Sequence, residues 1–474
     1  MTNDTGKRVR ERKSRPWLTA TLWATGVLTT LALIAVTAVA HQAGALNDFL
    51  CGGDCGNSDV AAPDGLAAPS PASADVAGEP PVTADAEAVE AAVATALTEP
   101  MLGPHVGVSV RQLDGAELLS TSTDTFTPAS TTKLLTGFAV LSALDPQQRF
   151  TTTTVLDGDR LILVGGGDPF LMATPDDRGF AARADLATLA ERTATALTEQ
   201  GVAPVSLGYD ADLFTGPAES PDWESGYADV EVVSPISALW VDRGRYGGVR
   251  AADPALAAAT LFAEQLAAHG LSVGAPVVAS SPDGAAPLAE VKGGTVAQAV
   301  ERMELNSDNG AAEVLARHAA LARGGEASFE GAVTAIGEVL TGAGIDTAQL
   351  TQLDGSGLSR HNLMTPSLLT EVVTTAANEA PQLVGDLPVA GFTGSLAERF
   401  EGLSGRGLVR TKTGTLSQIH SLAGTVTTAD GVVLAVAVMI DQADPAQGLA
   451  ARIAVDAVVA RLADCRCAAS GAAA

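Results

Sequence analysis

Beyond its first sixteen residues the 474-residue chain holds just three lysines, Lys133, Lys292 and Lys412, and two of them stand in stretches equipped for acyl chemistry. In "TPASTTKLLTGF" Ser130 precedes Lys133 by three residues, so on a helix both side chains lie on one face. A serine opening a helix has backbone N–H groups at the positive end of the dipole, where a developing oxyanion can be held. A lysine whose pKa is lowered can take the hydroxyl proton, whereas an arginine stays protonated and cannot. Lys292, in "AEVKGGTV", carries no such neighbours and reads as a solvated surface lysine.

Two further stretches complete the chemistry. "MELNSDNGAAEV" places Ser307, Asp308 and Asn309 in a polar turn before a helix running to about Ala322. "VRTKTGTL" places Lys412, Thr413 and Gly414 along a strand, the glycine leaving room for a substrate backbone. The order S-x-x-K, S-x-N, K-T-G is the signature set of penicillin-binding proteins and serine β-lactamases. The stretches "GGGDPFL", "PDWESGYADVEVVSPISALWVDRGR", "LDGSGLSRHNLMTP" and "PVAGFTGSLAERF" narrow this further. From Thr83 to Leu462 the chain resembles the peptidase S13 family, the D-alanyl-D-alanine carboxypeptidase/endopeptidases of the penicillin-binding protein 4 type.

That resemblance implies an α+β penicillin-binding/β-lactamase-like transpeptidase fold, an antiparallel sheet flanked by helices, with an inserted mixed lobe. It implies Ser130 as the acylated nucleophile, Lys133 as general base and Ser307 as proton relay to the leaving D-alanine nitrogen. Asn309 would hold the acyl-side amide. Lys412, with the Thr413 and Thr415 hydroxyls, would bind the substrate carboxylate beside Gly414, and the N–H groups of Ser130 and Thr415 would form the oxyanion hole. Asp168, in "GGGDP", is the candidate acid for a diaminopimelate amino group; a turn-capping aspartate is its structural alternative. "DGSGLS" is expected to buttress the site, and His361 to lie on a surface loop. The implied partners are peptidoglycan stem peptides, with β-lactams as covalent inhibitors; neither metal nor cofactor is called for.

The rivals are a serine β-lactamase and a penicillin-fold scaffold that binds wall peptides without turnover. The first needs a second base, and no E-x-x-L-N stretch occurs. The second has no use for a nucleophile–base pair. "GLSVG", Gly270–Gly274, matches the G-x-S-x-G elbow but follows a helix where that motif needs a strand.

Local patterns supply the elements that must position these groups. Thr83–Pro100 reads as a helix, "GVSVRQL" and "AELLSTS" as a hairpin, and Ser130–Leu144 as a helix with its leucines on one face. "RFTTTTVL" and "RLILVGG" form a second hairpin, with helices over Asp185–Glu199 and Pro254–His269 and a strand at "VGAPVVAS". "GLVRTKTG", "SQIHSLAGTVTT" and "GVVLAVAVMI" are three successive strands before a helix over Pro445–Leu462. Peptidase segments 83–149 and 291–463 thus flank an inserted domain, 150–290.

Net charge is −27, although six basic residues crowd the first sixteen positions, so the remainder repels nucleic acid. Residues 17–40 carry no charge, follow the basic tail and end in Ala38-Val39-Ala40. They read as a retained anchor or a cleaved signal, and export follows on either reading. An Ala/Pro linker, 41–82, comes next, and 464–474 form a C-terminal tail. Cys51, Cys55, Cys465 and Cys467 suit disulfides outside the cytoplasm, with pairing left open; no histidine neighbours them to make a zinc site.

Overall fold

Among the described residues the first helix, α1 (Ala86–Ala94), starts where the Asp85 carboxylate accepts the Glu87 N–H. In this computed structural model residues 83–175, 183–203 and 206–469 are described. The basic tail, the apolar segment 17–40, the linker, Cys51 and Cys55 lie outside them. A hairpin follows, β1 (Val106–Gln112) and β2 (Glu117–Ser120), and then a 3-10 turn, Ala129–Thr132, that leads into α2 (Lys133–Ala143).

A second sheet comes next in the chain. It takes in β3 (Arg149–Asp157), β4 (Arg160–Val164), α3 (Leu186–Gln200) and β5 (Ser206–Asp210). The short hairpin β6 (Arg245–Tyr246) and β7 (Val249–Arg250) precedes α4 (Pro254–Ala268), β8 (Val277–Val278) and β9 (Ala289–Thr295). Helices α5 (Val296–Asn306), α6 (Asn309–Ala322), α7 (Phe329–Gly342), α8 (Pro366–Glu379) and α9 (Pro381–Gly385) then return the chain to the first sheet. That sheet is finished by β10 (Val409–Leu416), β11 (Ile419–Thr427) and β12 (Val433–Ile440), and α10 (Gly448–Asp464) packs behind it.

The first sheet runs β10-β11-β12-β1-β2, antiparallel throughout, so strands from both ends of the chain pair at Val108↔Val438 and its neighbours. The alternation of β12 explains how helices cover both faces. Leu434, Val436, Val438 and Ile440 enter the core under α10, while Ala435, Ala437 and Met439 face the core built on α2 and α8. Large side chains on one face and mostly alanines on the other let α2 and α8 approach closely. Each fully buried Val, Leu or Ile contributes about 1.5–3 kcal/mol, which makes β12 a strong centre for the sheet. Helix α2 is itself apolar nearly all round and buried from Lys133 to Leu141, as a central core helix must be. The end of that helix that carries Lys133 is therefore anchored in the core.

The second sheet runs β8-β5-β4-β3-β9 and is mixed, with β4, β5 and β8 parallel and β3 antiparallel to both its neighbours. It extends to Thr295, so "AEVKGGT" is one of its edge strands, and there Lys292 is half-exposed and paired with Glu290 at 2.9 Å. The strand expected at "VGAPVVAS" shrinks to Val277–Val278, because only Gly208 and Tyr209 offer it partners. Gly270, with φ +83°, follows the end of α4, so "GLSVG" begins in a helix stop. Cys465 and Cys467 are disulfide-bonded to each other. Among the described residues no helix is long and apolar enough to cross a membrane.

Candidate active site

Ser130 sits in the 3-10 turn rather than in the first turn of an α-helix, and α2 begins only at Lys133. The turn starts from Ala129 at φ +50°, a left-handed position that costs a non-glycine residue about 1–3 kcal/mol. Its surroundings hold it there. Thr131 and Thr132 donate their hydroxyls to the Pro128 and Ala129 carbonyls at 2.8 and 2.9 Å, and Ser421 donates to Pro128 at 2.6 Å. Gly357, with φ +82°, lies against the Ala129 carbonyl, where any Cβ would collide.

Lys133 is fully buried, and its Nζ donates to Ser130 Oγ at 3.0 Å, Asn309 Oδ1 at 2.8 Å and the Ser356 carbonyl at 2.6 Å. Three acceptors fix the amine beside the serine hydroxyl. Burial pushes its pKa from the ordinary value down to about 8, against the pull of Glu304, Asp354, Glu313 and Asp308. An amine so placed is partly neutral near pH 8 and can receive the serine proton.

The S-x-N stretch is the corner between two helices. Ser307 ends α5 in a left-handed conformation, φ +53°. Asp308 caps α6 by accepting the Ala311 N–H at 3.0 Å and pairs with Arg243 at 3.0 Å, and Asn309 begins that helix. The corner turns Ser307 toward Lys412, whose Nζ donates to Ser307 Oγ at 2.9 Å and to the Thr413 carbonyl at 2.8 Å. Lys412 is also fully buried, and burial, followed by repulsion from Lys133, lowers its pKa to about 7. Both lysines are shifted in the same direction; distance separates their roles, because only Lys133 is bonded to Ser130.

Strand β10 is the edge of its sheet. On its outer side Ala390 N–H bonds the Val409 carbonyl and Thr411 N–H bonds Pro388, covering the first half of the edge. The two-residue alternation of an antiparallel strand then turns the N–H groups of Thr413 and Thr415 outward as well. Gly414 faces the other way, where a Cβ would strike the Pro128 carbonyl and the Ser421 hydroxyl and come within 3.3 Å of Ser130 N. The lack of a side chain at Gly414 lets the turn that carries Ser130 rest on the strand. Thr413 is buried, with its hydroxyl on Ser395 Oγ at 2.8 Å, and Thr415 is exposed. A cavity of 140 Å³ opens beside this group, lined by Ser307 and Asn309 on one side and Ser234, Arg243 and Arg250 on the other.

Residues 89–248 and 246–462 match the D-Ala-D-Ala carboxypeptidase 3 (S13) family. The chain belongs to the S13 family. It is 36% identical over 405 residues to a carboxypeptidase of Mycobacterium tuberculosis, covering 81% of this chain and 86% of that protein. A carboxypeptidase of Mycolicibacterium smegmatis is 34% identical over 424 residues, covering 84% and 90%. In fold it matches penicillin-binding protein 4 from Haemophilus influenzae with a TM-score of 0.65 at 21% identity, over 77% of this chain and 98% of that one.

Within this S13 chain Asp168 stands apart from the other expected site residues. It is 4% exposed and lines a different cavity, of 40 Å³, with Phe150, Phe170 and Arg302. One carboxylate oxygen accepts the Phe170 N–H at 2.8 Å, closing the turn, and burial raises its pKa to about 6. Its backbone carbonyl takes the Trp240 indole N–H at 3.0 Å, and that ring packs on Gly310, next to Asn309. Asp168 thus touches the site through Trp240.

Several supporting residues carry no motif. Glu313 accepts the N–H groups of Gly355 and Ser356 at 3.0 and 2.8 Å and so aims the Ser356 carbonyl at Lys133. Asp354 gathers donors from Trp223, Gly357, Ser359 and Asn362, all within 2.8 Å, and holds the "DGSGLS" loop in shape. His361 is exposed. Glu304, fully buried on α5, faces the two lysines. A signal for these acids was present, since Glu304 continues the apolar spacing of Val296, Val300 and Met303. An acid on a buried stripe calls for a reason. Among the described residues no group of three or more His, Cys, Asp or Glu could hold a metal ion.

Proposed function

We propose that Ser130 is the acylated nucleophile and Lys133 its general base in a serine D-Ala-D-Ala carboxypeptidase that trims peptidoglycan stem peptides. The observation that carries this reading is the buried Lys133 Nζ, 3.0 Å from Ser130 Oγ and lowered in pKa by that burial. As Oγ attacks the penultimate D-alanine carbonyl, its proton passes to the neutral Lys133 amine. The carbonyl oxygen becomes an oxyanion, held by the N–H groups of Ser130 and Thr415. The carbon–nitrogen bond then breaks as the Ser307 hydroxyl gives its proton to the leaving D-alanine nitrogen. Ser307 is reprotonated at the expense of the Lys133 ammonium, which restores the neutral amine. Water then attacks the acyl-enzyme as Lys133 takes its proton and passes it to Ser130 Oγ when the ester bond breaks, and the shortened peptide leaves as a carboxylate.

Recognition follows the same geometry. Lys412, with the Thr413 and Thr415 hydroxyls, receives the terminal carboxylate, and Asn309 Nδ2 holds the acyl-side amide. A diaminopimelate leaving group has its carboxylate beside the scissile nitrogen too, so endopeptidase cleavage of cross-links fits the same site. A β-lactam keeps its leaving nitrogen tethered after ring opening, which hinders water and preserves the adduct. The basic tail and uncharged run 17–40 support export and tethering to the outer face of a bacterial membrane.

Intact-mass analysis after incubation with penicillin tests the reading. One drug molecule should add to the wild-type chain and none to Ser130→Ala. Absence of both adduct and drug hydrolysis would leave a binding scaffold, and rapid drug hydrolysis without an adduct would make the chain a β-lactamase.

A further inference from the structure

Glu304 is a costly side chain to place, and nothing in the mechanism above uses it. It is fully buried, and neither carboxylate oxygen has a hydrogen-bond donor. An unbonded carboxylate in a protein core is retained only where something compensates its charge. Its position supplies the compensation. Glu304 lies one turn before Ser307 on α5, and Ser307 Oγ is bonded by Lys412. Its Oε1 also lies so near Gly137 that a Cβ there would come within 2.9 Å, and Gly137 is one turn beyond Lys133 on α2. The carboxylate is therefore buried against α2 at Gly137, one turn from Lys133, and on α5 one turn from Ser307.

We propose that the Glu304 carboxylate is the shared counter-charge of Lys133 and Lys412, a positioning residue that sets when each lysine holds its proton. The proposal rests on the reading of Ser130 and Lys133 as nucleophile and base. One amine must be neutral to accept the serine proton and the other charged to attract a carboxylate. Two buried ammonium groups without an anion would repel each other and both deprotonate; one anion keeps a proton on the pair. The groups facing Glu304 are Lys412 from β10, Lys133 from α2 and Asp386 after α9. Burial, and then Asp386, raise Glu304 to about 7, while the two lysines oppose the rise. Lys133 also faces Asp354, Glu313 and Asp308, and Lys412 faces Arg399.

The scarcity of lysine makes the test direct. In the full chain labelled with 13Cε-lysine, five residues report, and Lys133→Arg and Lys412→Arg assign the two buried signals. Replacing Glu304 by Gln should move both titrations to lower pH by about one unit, leaving Lys292 where it was. Glu304→Asp should restore most of the shift. The rising limb of the penicillin acylation rate with pH should move to lower pH with them. A folded Glu304→Gln chain in which neither buried signal moves, or only one does, overturns the proposal. Should the Gln chain not fold, Glu304→Met and Glu304→Asp bracket the same comparison, and an Asp chain titrating like Met also overturns it. Adduct formation by the wild-type chain is read separately by mass, so failure of the acyl-enzyme reading is distinguishable.

Discussion

The two walls of the cleft are built by opposite means. On one side Ser130 and Lys133 belong to a buried helix start, with three acceptors on the amine and a left-handed Ala129 locked by hydroxyls and Gly357. On the other side β10 offers an open sheet edge, covered by Pro388–Ala390 only as far as Thr411. The first wall is over-determined, which suits chemistry that tolerates little misplacement. The second is a strand template, which suits an extended peptide that brings its own backbone to pair.

The largest effect should come from the rigid wall. Lys133→Arg keeps the charge and removes the base, so penicillin acylation should fall about 10³-fold in stopped-flow measurements on a folded protein. With Lys133 as the proposed base, the wild-type rate should rise with pH and level off above about 8, where burial leaves its amine neutral. That rise should be absent from the arginine variant. A variant that still acylates rapidly would put the base elsewhere and dissolve the contrast.

An intermediate effect is expected where the walls meet. Gly414→Ala drives a methyl group into the Pro128 carbonyl and the Ser421 hydroxyl, beneath Ser130. Overpacking there should cost about 1–3 kcal/mol in denaturant unfolding and slow acylation as the turn shifts. Unchanged stability would mean that the strand and the turn are not pressed together. The smallest effect belongs to the cavity's outer side. Arg243→Ala removes a half-exposed partner of Asp308, whose cap on Ala311 remains, so peptide KM should change by no more than about twofold. A large change would show that the inserted segment takes part in binding.

Much of this was legible because its causes are local. The spacing of Ser130 and Lys133, the polar corner at Ser307–Asn309 and the alternation of the last three strands are properties of a few consecutive residues. So is β12, whose unbroken apolar run "VVLAVAVMI" suits the middle of a covered sheet, whereas the fold class came from the resemblance to the family. Other features had local causes that passed unused. Helix α5 opens with a Thr295–Gln298 capping box and α8 with Thr365 before Pro366, both recognisable starts.

By itself, then, the sequence determined which candidate residues stand together in motifs and in what order, though not that Ser130 would sit in a 3-10 turn ahead of its helix. Tertiary structure alone decided what surrounds them. Lys133 meets Asn309 from 176 positions away and Lys412 meets Ser307 from 105, and those approaches set the burial that lowers both lysines. It also decided that Gly414 backs the turn that carries Ser130, that Asp168 bonds Trp240 beside Gly310, and that Glu304 is buried without a hydrogen-bond donor. Motifs are written in nearest neighbours along the chain. Desolvation and charge pairing depend on neighbours in space, which packing assembles only when both ends of the chain close on one sheet.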